Sequence, residues 1–420
     1  MARVHRRRLA ALAAPVLALA LAGGAAVVAG GCGGAASGAA SSPGDQLTVY
    51  SSLPLQGPTA SSSQQIVNGE KLALYDTQGH VGPFEINYVS LDDSSPSSGL
   101  WEPAATASNA KTAADDPGTI AYLGEYSSAA TAVSLPLINA AGILQISPSS
   151  PYGGLTSSLY AGQDEPERFY PTGKRNFARL TPGDEKQALA QIELMHGLRV
   201  RKVYVLDDED PFLTTLAEMV VADAQSAGIQ VVGHDSLDMS ASTSFSSETA
   251  KIAESGAEAV FFAGEPSNGA VSLFGELHNA LPDLWLLGPS TLAEASFTQQ
   301  LDNRAASKTL LTTSVLPASS YPAAAQGVLA AYHRHFGGTP EAYALFGFEA
   351  MSATLQAIRR AGVRGNDRQA VIDALFARGS HASVIGRYAI EPDGETTLAS
   401  FGVDRVSGGE PVFWKSLSVG

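Results

Sequence analysis

Serines gather at three places in this 420-residue chain, and their neighbours suggest a chemistry. The first place is 54–63, where Ser61-Ser62-Ser63 follow Gln56-Gly57-Pro58. The second is Gly124-Glu125-Tyr126-Ser127-Ser128, and the third is Ser147-Pro148-Ser149-Ser150-Pro151-Tyr152. Hydroxyls beside the free N–H groups of a helix start suit a carboxylate or another anion. The same residues also serve as helix caps and turns, and the sequence leaves both readings open. A second set of loops carries acid: Asp207-Asp208-Glu209-Asp210, then Glu265 in 264–267, with Ser290 in the related loop 288–291. Carboxylates there suit an ammonium or other donor-bearing group, although a solvated loop is the plainer reading of 207–210. A zwitterion held between a hydroxyl-rich wall and an acidic wall is the resulting expectation.

Catalysis finds little support. There is no Gly-x-Ser-x-Gly elbow, no phosphate loop and no Gly-x-Gly-x-x-Gly after the first strand. A hydrolase built on Ser127 or Ser128 has no base placed for it. His333 and His335 stand two apart on an expected helix, so they point in different directions and suit no metal. No metal and no cofactor is expected.

The elements that must position these loops alternate regularly. Strands are expected at 47–50, 84–91, 119–123 and 143–146, with helices at 64–76, 103–114 and 129–141 between and around them. A second series places strands at 203–206, 229–232, 259–262 and 284–287 among helices at 212–227, 247–255 and 268–280. Such alternation predicts α/β architecture, here two doubly wound parallel-sheet lobes covered by helices. The serine and acidic loops then fall at the carboxyl ends of strands, where open parallel sheets hold ligands. Three helices come next, at 322–336, 343–361 and 368–377. From 383 onward the period switches to 2, which predicts antiparallel strands.

Charge and the amino end bound the setting. The formal net charge is −15, and Arg3, Arg6, Arg7 and Arg8 precede an uncharged run at 9–28. Removing that end leaves 22 basic against 41 acidic residues, a net −19. Such a body lacks the basic footprint that nucleic acid needs. Basic start, apolar run and small residues describe an export signal. Cys32, the only cysteine, follows Ala29-Gly30-Gly31, which is similar to a bacterial lipobox whose thiol is acylated. A plain membrane anchor or an ordinary secretory signal is the other reading, and Sec and twin-arginine export both stay open. Residues 33–44 hold only Gly, Ala, Ser and one Pro, the composition of a flexible tether.

At these loops the chain resembles the type I periplasmic-binding-protein-like family, especially the branched-chain amino acid (Leu/Ile/Val) binding component of ABC importers. Gln56-Gly57-Pro58 with Asn68-Gly69, Asp92-Asp93, the 124–128 loop, residues 141–149, Gly288-Pro289 and Val384-Ile385-Gly386 carry the resemblance, over about 47–416. It implies two lobes joined by a three-strand hinge, closing on a ligand that an ABC permease then receives. The expected division is signal 1–31, tether 32–46, lobe 1 at 47–180 plus 318–383, and lobe 2 at 181–317 plus 384–420. A sensor of the same fold, signalling through a membrane partner, is the alternative. The ligand contacts expected are Ser62, Tyr126, Ser127, Ser128, Ser149, Ser150, Asp208, Glu265 and Ser290; of these the resemblance carries over Ser128 as a hydroxyl and Ser149 as a backbone group. It departs at Ser62, where an aromatic is common, at Pro151, where Thr is usual, and at Ser290, where an acid receives the ammonium. Glu265 could supply that charge. The solute is therefore open among amino acids and similar small polar molecules.

Overall fold

Parallel strands are buried on both faces, so they need near-continuous apolar runs with helices to cover them. The computed structural model describes residues 44–239 and 244–419; Cys32 and the expected signal lie outside the described residues. The first sheet contains β1 (Gln46–Leu53), β2 (His80–Val81), β3 (Phe84–Asp92), β4 (Thr119–Leu123), β5 (Leu144–Ser147) and β6 (Phe177–Arg179). Their spatial order is β2-β3-β1-β4-β5-β6, parallel apart from the short β2. Every residue of β4 is buried, as is β1 from Leu47 onward.

The second sheet contains β7 (Lys202–Asp207), β8 (Gln230–Ser236), β9 (Ala259–Ala263), β10 (Trp285–Gly288) and β11 (Thr309–Thr313), all parallel. After a small hairpin of β12 (His381–Ser383) and β13 (Gly386–Tyr388), β14 (Ser400–Ser407) and β15 (Glu410–Ser418) add antiparallel to the β11 edge. The period-2 pattern of the last residues is thus realised as strands.

The chain crosses between sheets after β6, after β11 and before β14, and each sheet has its own core. The first gathers Leu47, Val49, Ile120 and Leu144 with Leu345, Phe346 and Ile358 of a late helix. The second sheet is packed on both faces, by Val203, Phe261 and Leu216 on one and by Val260, Phe262 and Phe274 on the other. Val384, Ile385, Tyr388 and Ile390 pack into the first core, and the Tyr388 hydroxyl donates to Glu349 at 2.7 Å. These four residues are thus packed with the first sheet's core.

Two glycines decide how the late helix sits. A Cβ on Gly69 would lie 2.0 Å from the Ala344 carbonyl oxygen, and one on Gly347 would lie 2.1 Å from that of Ile66. The helices Ala60–Asp76 and Tyr343–Ala361 therefore touch backbone to backbone. That contact brings Tyr343, at the start of the late helix, beside Ile66, Val67 and Tyr126.

Candidate functional site

The strand ends of the first sheet deliver the serine loops, and much of their hydrogen bonding is internal. The Ser147 hydroxyl accepts the N–H groups of Ser149 and Ser150, at 3.1 and 2.9 Å, closing a tight turn after β5. The Ser149 carbonyl accepts the Thr181 hydroxyl at 2.8 Å. The Ser149 N–H and carbonyl thus each have a partner within the chain. Ser150 is held within the chain in the same way. It is fully buried, its hydroxyl lies 2.6 Å from that of Thr131, and it is in reach of the carbonyls of Glu125 and Ser127.

The other hydroxyls keep capacity. Ser127 caps the helix Ser128–Ala140 without its side chain taking a capping bond. The Ser128 oxygen accepts the Tyr152 N–H at 3.1 Å, which leaves its own hydrogen to donate. Ser62 lies in the first turn of its helix, near the Tyr126 hydroxyl. Ser149 approaches the Tyr343 hydroxyl in the same way. The Tyr126 and Tyr343 rings stand 5.6 Å apart between these serines. Burial raises both phenols, Tyr126 well above its ordinary range and Tyr343 to about 12, so both remain neutral hydrogen-bond donors.

The acidic loops of the second sheet divide their work. Asp207 is buried and receives hydrogen bonds from the Glu209 N–H and the hydroxyls of Thr214 and Ser236, at 3.0 Å each. Asp210 caps the helix Pro211–Ser226 by accepting from Phe212 and Leu213. These two are structural. Asp208 accepts the Glu265 N–H at 2.7 Å and the Asp210 N–H at 3.2 Å, tying the β7 loop to the β9 loop. The Thr291 hydroxyl donates to the Gly264 carbonyl at 2.6 Å and ties in the β10 loop. Ser290 donates to Gln187 at 3.1 Å.

Among the described residues, the groups acting most on two carboxyls are acidic or phenolic. Crowding by the surrounding chain pushes Glu265 up to about 7, with Asp208, Asp210 and Glu294 adding like charge. Water still reaches the Glu265 side chain, so the upward direction carries the argument rather than its size. Glu294, half-buried, is also raised to about 7 by burial, partly relieved by the Tyr126 hydroxyl. Tyr126 stands on the first sheet's loops and Glu294 on the second's, so the two lobes meet here.

A family model described as periplasmic binding protein matches residues 51–409. The chain belongs to the periplasmic binding protein family. It is a solute-binding protein rather than an enzyme. A Leu/Ile/Val-binding protein homolog 1 of Brucella abortus is 24% identical over 353 residues, covering 83% of this chain and 87% of that one. The leucine-binding protein LivK of Thermotoga maritima superposes with a TM-score of 0.71 at 19% identity, over 89% of this chain and 99% of its own. LivJ of Streptococcus pneumoniae, solved with isoleucine, gives 0.69 at 19%, with the same coverage. These likenesses match the two-lobed fold expected from the sequence.

In this periplasmic binding protein the structure joins residues that the sequence presented separately. Ser62, Tyr126 and Ser149 converge with Tyr343, while Asp208 and Glu265 converge with Glu294. Sequence reading missed Tyr343 and Glu294. Glu294 lies four residues beyond Ser290 in the same strand-end segment, and extending the loop would have found it. Tyr343 carried no such signal, since helix packing alone delivers it. Among the described residues no group of His, Cys, Asp or Glu is arranged to hold a metal ion. Two open hollows of about 520 and 420 Å³ lie elsewhere, one by Lys174 and Arg175 and one by Leu198 and Trp285, and neither includes these loops.

Proposed function

We propose that this protein is the extracytoplasmic, lipid-anchored solute-binding component of an ABC importer, holding an amino acid or similar small polar molecule between its lobes. The observation that carries the reading is the pairing of hydroxyl-bearing strand-end loops on the first sheet, where Tyr126 and Tyr343 stand 5.6 Å apart, with acidic strand-end loops on the second, where Asp208 holds the Glu265 N–H at 2.7 Å. The hydroxyl wall receives a carboxylate or carbonyl, and the acidic wall receives an amine. Each charge-assisted hydrogen bond made there contributes about 1.5–3 kcal/mol when water is excluded. Lobe closure assembles both walls around the solute, and a membrane permease takes the closed form. The matched family and the names of the relatives support the transport role; the Cys32 setting supports the anchor. Among the described residues no helix is long and apolar enough to cross a membrane. The test is thermal stabilisation across amino acids, amides and polyamines, since a ligand bound only to the folded form raises the melting temperature. Stabilisation that Ser128→Ala and Glu265→Gln both weaken supports the cleft assignment. A panel without any shift, or a ligand held as tightly by both variants, refutes it.

A further inference from the structure

Parallel neighbours need a crossover of about a dozen residues or more, and a helix usually supplies it. Between β5 and β6 the crossover 148–176 holds only two short 3-10 turns, Gly153–Leu155 and Glu167–Phe169. Lobe 1 nevertheless grips this segment. Leu155, Phe169 and Tyr170 are buried with Leu135 and Phe177. The Tyr170 hydroxyl donates to the Leu155 carbonyl at 2.7 Å, and the Thr172 hydroxyl and N–H donate to Asn139 at 2.8 and 3.0 Å. Tyr152 is fixed at both ends: its N–H lies on Ser128, and its hydroxyl donates to Glu165 at 2.5 Å. Glu165 also accepts the Gly162 N–H at 2.8 Å and pairs with Arg168.

The same segment touches the other lobe. The Tyr152 ring meets that of Phe212 edge to face, with centroids 4.7 Å apart and planes at 84°. Phe212 is half-buried and stands in the first turn of the helix Pro211–Ser226, whose start Asp210 caps. Two turns further along that helix face is Met219, and a Cβ on Gly153 would lie 3.2 Å from its Cε. Tyr160 packs against the core of the second sheet, which holds Leu216 and Met219. Three residues of one lobe 1 segment thus rest on lobe 2.

We propose that segment 152–170 is a strap across the lobe boundary, which holds the two lobes at this spacing without solute, chiefly through Tyr152 against Phe212. Opening the lobes strips the Tyr152 edge from Phe212 and wets Phe212, Tyr160 and Met219, so apolar burial opposes it. An aromatic pair of this geometry shifts a two-state equilibrium by about two- to tenfold. Tyr152 holds Ser128 through its N–H, and Phe212 follows the loop of Asp208, so the strap sets the distance between the serine and acidic loops in advance. It acts on the empty protein and is independent of the solute-binding role.

The experiment places spin labels at Lys111→Cys on lobe 1 and Gln225→Cys on lobe 2, both exposed, in the full chain carrying Cys32→Ala. The protein is unfolded and refolded to strip any bound solute, and double electron–electron resonance then reads the distance between the lobes. The expected result is one narrow distribution. Phe212→Ala at least doubles the share of longer distances. Tyr152→Ala does the same, the double variant adds little further, and Phe212→Tyr, which keeps the ring, stays narrow. If Phe212→Ala loses its helical circular dichroism, Phe212→Leu takes its place and is read in the same way. An unchanged distribution on loss of the Phe212 ring overturns the strap. Fully additive effects of the two alanine variants, or a broad distribution before either is made, overturn it as well. None of these outcomes bears on the melting-temperature screen that tests solute binding.

Discussion

Replacing Arg179 by Met tests how the ligand loops are tied to the hinge. Arg179 ends β6, where the chain leaves lobe 1, and its side chain is fully buried. Its guanidinium donates to the Ser150 carbonyl at 2.7 Å and to the Thr156 hydroxyl at 2.6 Å, and pairs with Glu395 at 2.8 Å. One side chain thus joins a ligand loop, the excursion after it and the segment leading to the third crossing. Glu395 also receives the Thr156 hydroxyl at 2.5 Å, so its carboxylate is not wholly orphaned when the arginine goes. Nearby Asp184 is raised to about 7 by burial, with Arg179 the charge that pulls it down. The two hydrogen bonds and the ion pair are largely offset by the cost of desolvating the charges. Removing one partner leaves that cost uncompensated on the other, which sets the expected loss at about 3–5 kcal/mol. Urea denaturation of Arg179→Met measures it as a fall in midpoint at constant slope. Adding Glu395→Gln to Arg179→Met neutralises the stranded carboxylate and should recover a substantial part, giving a coupling energy above about 1 kcal/mol. A loss below about 1 kcal/mol for Arg179→Met, or strict additivity in the double variant, refutes this role for the arginine.

Other expectations are briefer. Glu70 is fully buried, receives the Tyr88 hydroxyl at 2.5 Å and is raised by burial from 4.5 to about 8. A raised carboxyl contributes stability below its unfolded value, and that contribution is lost as pH climbs through the folded value. Glu70→Gln should therefore stabilise by about 2–4 kcal/mol near pH 7 and flatten the fall in melting temperature between pH 5 and 8; an unchanged profile counts against it. Gly347→Ala sets a methyl against the Ile66 carbonyl and should cost at least about 1–3 kcal/mol while displacing Tyr343, read as weaker ligand binding with a lower melting temperature. Cys32→Ala should move the protein from the membrane fraction to the soluble one, and retention in the membrane would argue for a different anchor.

Much of the architecture was legible because it follows from local periodicity. The helix expected at 343–361 is found as Tyr343–Ala361, and the strand 259–262 as Ala259–Ala263. Each combines its period with clear boundaries, and the apolar runs have only one way to be buried. The positions of the loops after β1, β4, β7 and β9 were legible for the same reason, since strand ends follow from strands. The packing of residues 384–390 was less legible. Val384, Ile385 and Tyr388 are apolar in any lobe, and only the position of Glu349 and its helix decides which core receives them.

By itself the sequence determined the alternating α/β pattern, the acidic body, the single cysteine behind an export-like signal, and the polar strand-end loops. These depend on composition and on contacts between near neighbours. Only the tertiary structure decided which polar groups keep free capacity. Ser150 read like Ser128, and Asp207 and Asp210 share one acidic run with Asp208, yet Ser150, Asp207 and Asp210 are engaged by the chain's own caps and turns. Tyr343 and Glu294 join Tyr126 only because a glycine contact draws two helices together and because two sheets face each other. A hydrogen-bonding group shows its type in sequence, but whether its partners are already spent is a property of the packed chain.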